Sequence, residues 1–334
     1  PVQDASATAK GNAWVATADN AAAVYYNAAG LTQLEDPSVR VGIYSVHLGL
    51  EAFTAAGGAE ADKAWQMVPQ IYGAMPIGER FVLGAGLNSP FGLSTDWPAN
   101  TSFSTIATST ELQVATGWLF GAYEINECLS IGGGFNYSRA DLTSRQAFPV
   151  APGGWMEFSG SDWAGSFTAS LRWEPTPEHA FGLVYRGQTD YDLEGRTLMP
   201  PVVNSQPSSL DLITPETWAA GYAWRPCPEW SIEANIEWVN WEQLDTAILR
   251  QGSGNLPFAF EWDANFIYSI GASRSFDGGW RVSAGYEYIE NSQPDLTFNP
   301  AVADADRHWL ACGVEKTGEH YSIALAYQYA FSNR

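Results

Sequence analysis

Trp230-Ser231-Ile232-Glu233-Ala234-Asn235-Ile236-Glu237-Trp238 sets apolar and polar residues in strict alternation. Side chains of a strand point to opposite faces in turn. One face carries Trp230, Ile232, Ala234, Ile236 and Trp238; the other carries Ser231, Glu233, Asn235 and Glu237. A soluble sandwich also alternates, but its apolar face turns inward and aromatics rarely mark both strand ends. Here tryptophan brackets the apolar face, and the opposite face is small or charged. That suits a strand with lipid on one side and a polar lumen on the other.

The pattern recurs on both sides of this stretch. Phe167, Ala169, Leu171 and Trp173 face away from Ser166, Thr168, Ser170 and Arg172. Trp280, Val282, Ala284, Tyr286 and Tyr288 oppose Arg281, Ser283, Gly285 and Glu287. Tyr321, Ile323, Leu325, Tyr327 and Tyr329 oppose Ser322, Ala324, Ala326 and Gln328. Connections alternate in length. Short turns fall at 77–80, 126–128, 174–178, 225–229, 277–279 and 317–319, and long loops near 51–64, 90–110, 143–161, 190–210, 243–261 and 291–305. Short turns on one side and long loops on the other are the mark of an outer-membrane barrel, the short side periplasmic. The fold class is thus all-β, an antiparallel transmembrane β-barrel in the bacterial outer membrane.

About thirteen strands follow from this periodicity. Bacterial single-chain barrels normally have an even number. The reading is that a final closing strand is missing after Phe331-Ser332-Asn333-Arg334. The chain divides into residues 1–36, not strand-like, and residues 37–334, the barrel. No run of about 18 apolar residues is present, which excludes a transmembrane helix. The chain starts at Pro1 without a secretory leader, which an exported precursor loses on processing.

The N-terminal stretch is rich in alanine, a helix former. Asp19 is placed to cap a short helix starting at Asn20, and Gly30 to end it. The helix either fills space or plugs the barrel. Further along, Ser89-Pro90-Phe91-Gly92 falls where a strand should still be pairing. Proline cannot donate to the ladder and glycine weakens it. The segment is either an interruption in the wall or a strand end entering a loop.

Net charge is −21, which argues against nucleic acid as a partner. Cys128, Cys227 and Cys312 have no metal or redox spacing and read as free thiols. His47, His179, His308 and His320 are scattered, so no metal or other cofactor is expected. Asp306-Arg307-His308 is contiguous, and neighbours on a strand point apart, so it reads as a loop-to-strand junction. No Gly-x-Ser-x-Gly elbow occurs, and the chain is read as no enzyme. An acyl hydrolase or acyltransferase barrel and a general porin are the alternatives. Arg172, Arg186 and Arg281 fall on the lumen register, where they either meet a substrate carboxylate or pair with Glu233, Glu237 or Glu287. The acidic loops are simply solvated, or hold divalent ions at the lipopolysaccharide surface.

With these residues in view, the chain resembles the FadL family (FadL/TodX-like) of outer-membrane transporters for long-chain fatty acids and related hydrophobic compounds. The resemblance rests on four stretches in order. They are Gly11-Asn12-Ala13 through Tyr25-Tyr26-Asn27-Ala28-Ala29-Gly30-Leu31, then Leu87-Asn88-Ser89-Pro90-Phe91-Gly92-Leu93-Ser94-Thr95, then Thr214-Pro215-Glu216-Thr217-Trp218, then Asp306-Arg307-His308-Trp309. It implies a 14-stranded barrel plugged by an N-terminal hatch. It also implies passive uptake of fatty acids or hydrocarbons: capture at extracellular loops, then lateral diffusion through a gap in the wall. Tyr25, Tyr26, Asn27, Ala28 and Ala29 then line the hatch beside the substrate path, with Asn27, Ala28 and Ala29 facing the gap and the two alanines leaving room for a ligand. Asn88, Ser89, Pro90, Phe91 and Gly92 then form the lateral gate. The expected partners are a hydrophobic small molecule, outer-membrane lipid and lipopolysaccharide, and the protein is read as a monomer. The family's usual Asn-Pro-Ala is here Asn27-Ala28-Ala29, which bears on hatch rigidity, since proline restrains itself and the residue before it.

Overall fold

The computed structural model describes residues 2–54, 57–62, 65–148, 153–252, 254–302 and 304–332. Parts of the expected loops, at 55–56, 63–64, 149–152, 253 and 303, and the ends at 1 and 333–334, lie outside the described residues.

Short helical pieces come first, at Ala5–Ala9, Ala23–Tyr26 and Ala28–Gln33. A single antiparallel sheet of seventeen strands follows, with a separate hairpin of Glu51–Thr54 and Gly57–Glu60. Four crossings of the wall are each interrupted once, so the seventeen strands make thirteen passes. The first six are Ser38–His47, Trp65–Ile77, Phe81–Asp96, Ser109–Asn126, Leu129–Ala147 and Trp155–Thr176. The seventh is His179–Arg186 with Thr189–Met199, and the eighth Val203–Thr214 with Thr217–Cys227. The ninth is Trp230–Val239 with Thr246–Gln251, and the tenth Leu256–Ala259 with Asn265–Phe276. Trp280–Ile289, Arg307–Thr317 and Ser322–Ser332 complete the order.

Each pass pairs with its neighbours in sequence. The first pairs only with the second, and the thirteenth only with the twelfth, among the described residues. At the short-turn end these two edges converge: Arg40 donates to the Ser322 hydroxyl over 3.0 Å.

The lower wall has the sidedness that alternation demands. Ile323 is 67% exposed on the outside, whereas Glu233 is fully buried inside. Trp173, Phe181, Trp224, Trp230 and Trp280 ring the exterior near the short turns, as an interfacial aromatic belt does. The short turns stand where the sequence puts them. The long loops do not all. Residues 189–199 and 203–214 form a paired hairpin, and 246–251 and 256–259 another. These extensions invert the polarity of the wall. Tyr191 and Leu193 are buried while Asp190, Asp192 and Glu194 are exposed. Above the bilayer the outside is water, so the apolar face turns in. If Ile236 faces hydrocarbon, Ile236→Arg lowers stability in lipid bilayers by about 2–4 kcal/mol. An unchanged refolding midpoint would remove it from the lipid face.

Candidate functional site: hatch, lumen and wall interruption

The N-terminal segment fills the lower lumen and is tied to the wall on most sides. Asp4 caps the first helix, accepting from Ser6 and Ala7 backbone N–H groups at 2.8 and 3.3 Å. Arg40 of the first pass donates to the same carboxylate over 2.6 Å. Lys10 pairs with Glu233 of the ninth pass over 3.0 Å and donates to the Thr17 hydroxyl over 2.9 Å. The Ala16 N–H donates to the other Glu233 oxygen over 2.7 Å, and the Thr17 hydroxyl also bonds this carboxylate. Asn12 donates to Glu287 of the eleventh pass over 3.0 Å. Glycines in the wall admit the hatch backbone. A Cβ at Gly285 would stand 2.0 Å from the Lys10 carbonyl carbon, and one at Gly182 2.3 Å from the Val15 oxygen.

The hatch helix departs from the expected form. Asn20, not Asp19, accepts from the Ala22 N–H over 2.7 Å, while Asp19 lies 3.6 Å from Arg281. The helix is broken at Asn27, whose backbone is extended at φ −160 and ψ 101. Gly30 does not terminate it but sits inside the following 3-10 turn, where a Cβ would meet the Ala18 oxygen at 2.2 Å. Asn27 donates to the carbonyls of Val15 and Leu171 at 2.7 and 3.1 Å, and accepts from the Ala29 N–H at 3.0 Å. Its extended backbone is the one a following proline favours. Here the hydrogen bonds of the Asn27 side chain accompany that extended backbone without a proline.

Those contacts place Asn27, Ala28 and Ala29 against the fifth and sixth passes. The Ala29 N–H donates to the Ser170 hydroxyl at 3.0 Å, and a Cβ at Gly132 would meet Ala29 N at 2.5 Å. The expectation that these three face the third-pass interruption is therefore corrected. So is the idea that the alanines leave room: both are packed against wall backbone and essentially unexposed. Tyr25 and Tyr26 lie elsewhere on the hatch. Tyr25 packs edge-on to Trp118 with centroids 5.7 Å apart, and Tyr26 edge-on to Trp14 at 5.2 Å. Burial pushes both hydroxyls up, so both stay neutral.

The third pass is interrupted but does not end. Its pairing with the fourth shifts register between Asn88 and Phe91, then resumes to Asp96. Ser89 and Pro90 form the bulge, and the Ser89 hydroxyl donates to the Val114 carbonyl over 2.8 Å. On its other side the ladder stops. The second and third passes pair from Ile77–Phe81 to Ile71–Leu87 and no further among the described residues. Both strands nevertheless continue, one to Trp65 and the other to Asp96. Among the described residues, pairing between them is thus absent above Leu87, up to the Asp62 N–H that donates to the Asp96 carbonyl over 2.8 Å. Asn88 turns into the lumen at this point, and Phe91 packs edge-on to Trp241 across the lumen at 6.4 Å. Gly92 is exposed.

Above the hatch, one buried apolar cluster joins Val114, Leu142, Phe158, Tyr191, Leu193 and Leu249. Phe91 lies against it. Sequence reading did not assign this lining. Its signal was the reversed alternation of Tyr191 and Leu193 with Asp190, Asp192 and Glu194.

The three lumen arginines are all engaged. Arg172 bonds Glu174 and donates to the Ala16 carbonyl over 3.3 Å. Arg186 lies 3.5 Å from Glu237, donates to the Tyr25 carbonyl over 2.7 Å, and stacks over the Tyr25 ring at 5.0 Å. Arg281 lies 3.6 Å from both Asp19 and Glu315. The structure separates the three and pairs each with protein. Among the described residues no group of His, Cys, Asp or Glu is arranged to hold a metal ion.

Comparison with known proteins gives three results. Residues 1–334 match the family described as outer membrane protein transport protein (OMPP1/FadL/TodX). A long-chain fatty acid transport protein of Escherichia coli O6:H1 is 25% identical, over 90% of this chain and 78% of that protein. Among solved structures, a Pseudomonas aeruginosa FadL homologue has a TM-score of 0.88 at 15% identity, covering 100% of this chain and 90% of that one. The Ralstonia pickettii toluene transporter TbuX has a TM-score of 0.73 at 16% identity, covering 98% and 97%. A barrel of this sidedness, filled by an N-terminal hatch and matched to that family from end to end, belongs to the FadL/TodX family of outer-membrane transport proteins.

Proposed function

We propose that the chain is a passive, non-enzymatic channel for hydrophobic small molecules, which leave sideways between the second and third passes. The observation that carries this reading is the ladder that stops at Ile71–Leu87 while both strands continue. Unpaired backbone is costly in lipid, so a ladder that stops while its strands run on calls for a functional reason. The apolar lining above the hatch leads to this opening, and Phe91 belongs to both. An apolar ligand gains roughly 0.8 kcal/mol per methylene on entering hydrocarbon, so the bilayer is the favoured destination. The way down is polar. Beneath the hatch a cavity of about 140 Å³ is lined by Ser231, Ser273, Ser275, Ser283, Arg225 and Arg281.

Substrate charge separates two classes, long-chain fatty acids and uncharged hydrocarbons. A carboxylate has no waiting partner in Arg172, Arg186 or Arg281; it must displace Glu237, Glu174, Asp19 or Glu315. Uncharged hydrocarbons meet no such cost and are the favoured class. One observation supports the fatty acids: the buried Arg186 Nε has no hydrogen-bond partner among the described residues. The E. coli relative is named for fatty acids and TbuX for toluene. The protein acts as a monomer in lipid and lipopolysaccharide. A strand seated between the first and thirteenth passes would pair both open edges, as the bilayer requires.

Uptake and conductance test the reading together. Cells making the protein should take up labelled toluene or alkane faster than cells without it, and Arg186→Gln should leave that uptake within about twofold. Purified protein in a planar bilayer should give no large steady ionic current, since the hatch fills the lumen. A large steady current would make it a porin, and ester hydrolysis by the pure protein would make it an enzyme.

A further inference from the structure

We propose that Asn88 is a clasp, a positioning residue that stops the second and third passes from unzipping below the interruption and so sets its width. Its consequence for transport rests on the lateral-exit reading; its structural effect does not.

Asn88 is the first residue of the third pass beyond the last rung, Ile71–Leu87. Its side chain is 5% exposed and uses both ends. The Nδ2 donates to the Tyr72 hydroxyl over 2.9 Å, and Oδ1 accepts from the Trp118 Nε1–H over 2.6 Å. Tyr72 stands on the second pass and Trp118 on the fourth, both opposite Gly86 of the third. One amide thus ties three neighbouring passes together immediately under the opening. Gly86 makes the geometry possible: a Cβ there would meet the Tyr72 ring at 2.5 Å. Few residues serve both roles, since the amide gives a donor and an acceptor at once. Both partners are buried, Tyr72 fully and Trp118 to 7% exposure, so losing the amide leaves two buried polar groups unpaired.

The hatch reinforces the clasp from inside. Gln3 donates from Nε2 to the Ser89 carbonyl over 3.0 Å, the residue next to Asn88. The adjacent Asp4 is held by Arg40 of the first pass. Two neighbouring hatch residues therefore hold the wall on either side of the second pass. The aromatic contact of Trp118 with Tyr25 joins the clasp to the hatch floor.

The test uses spin labels at Met67→Cys and Gly92→Cys, across the opening, with Cys128, Cys227 and Cys312 replaced by serine. Asn88→Ala should lengthen and broaden the label distance. It should raise the open population about tenfold, the equivalent of 1.4 kcal/mol. Tyr72→Phe removes one bond and leaves the fold intact, so it should give an intermediate shift. Exit of a bulky labelled hydrocarbon from preloaded protein should quicken in the same order. Unchanged distances in folded Asn88→Ala and Tyr72→Phe overturn the proposal; if Asn88→Ala does not fold, Tyr72→Phe alone decides. Wider distances without faster exit would keep the clasp and count against lateral exit.

Discussion

Glu233→Ala is expected to release the hatch from the ninth pass and to cost about 3–5 kcal/mol. Glu233 is fully buried, and its carboxylate serves Lys10, Thr17 and the Ala16 N–H together. Truncation leaves the Lys10 ammonium buried without its counter-charge, and desolvation of a lone ion is costly. The Lys10 backbone is wedged against Gly271 and Gly285, so it cannot easily swing to water. The barrel ladders do not involve this side chain, so the loss should fall on the hatch. Limited proteolysis should cut residues 1–36 in Glu233→Ala far faster than in the parent, while the barrel fragment stays folded. Lys10→Met with Glu233→Leu removes both charges and should restore part of the protection, because an apolar pair replaces the ion pair while the Ala16 N–H and Thr17 hydroxyl stay unpaired. Equal proteolysis of parent and Glu233→Ala would mean that the hatch is held by backbone packing alone.

Much of the wall is written in the order of its residues. Strands 230–239, 280–289 and 322–332 announce themselves because lipid and lumen impose opposite demands on alternate positions. Short turns are equally plain, since little but turn residues separates the apolar runs. The strands above the bilayer are less plain. Residues 189–214 carry Asp190, Asp192, Glu194, Pro200 and Pro201, which suggest a loop. The hairpin forms because Tyr191, Leu193 and Met199 find an apolar interior built from distant passes, and no local window contains that partner.

The hatch shows the same limit. Its alanines indicate helix, yet Asn27 breaks it. Asn27's side chain satisfies Val15, Ala29 and Leu171, the last in the sixth pass. A short amide competes with helical backbone whenever better partners are near. The sequence shows Asn27; only the fold brings Leu171 to it. At the interruption, Pro90 marks the break. Resumption to Asp96 is set by pairing with Ser109–Val114, some twenty residues on. Arg186 meets Glu237 as charge pairing suggests, but Glu233 and Glu287 are claimed by Lys10 and Asn12 of the hatch, which strand register cannot reveal.

Linking the two sides of the opening should abolish uptake by this route, and this is the most direct test of lateral exit. Gln70→Cys and Ser89→Cys stand on the strands that part above Ile71–Leu87. In a chain with its three native cysteines replaced by serine, a short bis-maleimide can bridge them after synthesis. A second link between Met75→Cys and Leu83→Cys, paired positions in the intact ladder, serves as the control. Ligand can still enter the lumen in both. The bridged 70–89 protein should take up labelled hydrocarbon at least tenfold more slowly than its unbridged form, and retain ligand on purification. The 75–83 link should change nothing. Full uptake through a verified 70–89 bridge would contradict lateral exit and send the substrate through the hatch instead.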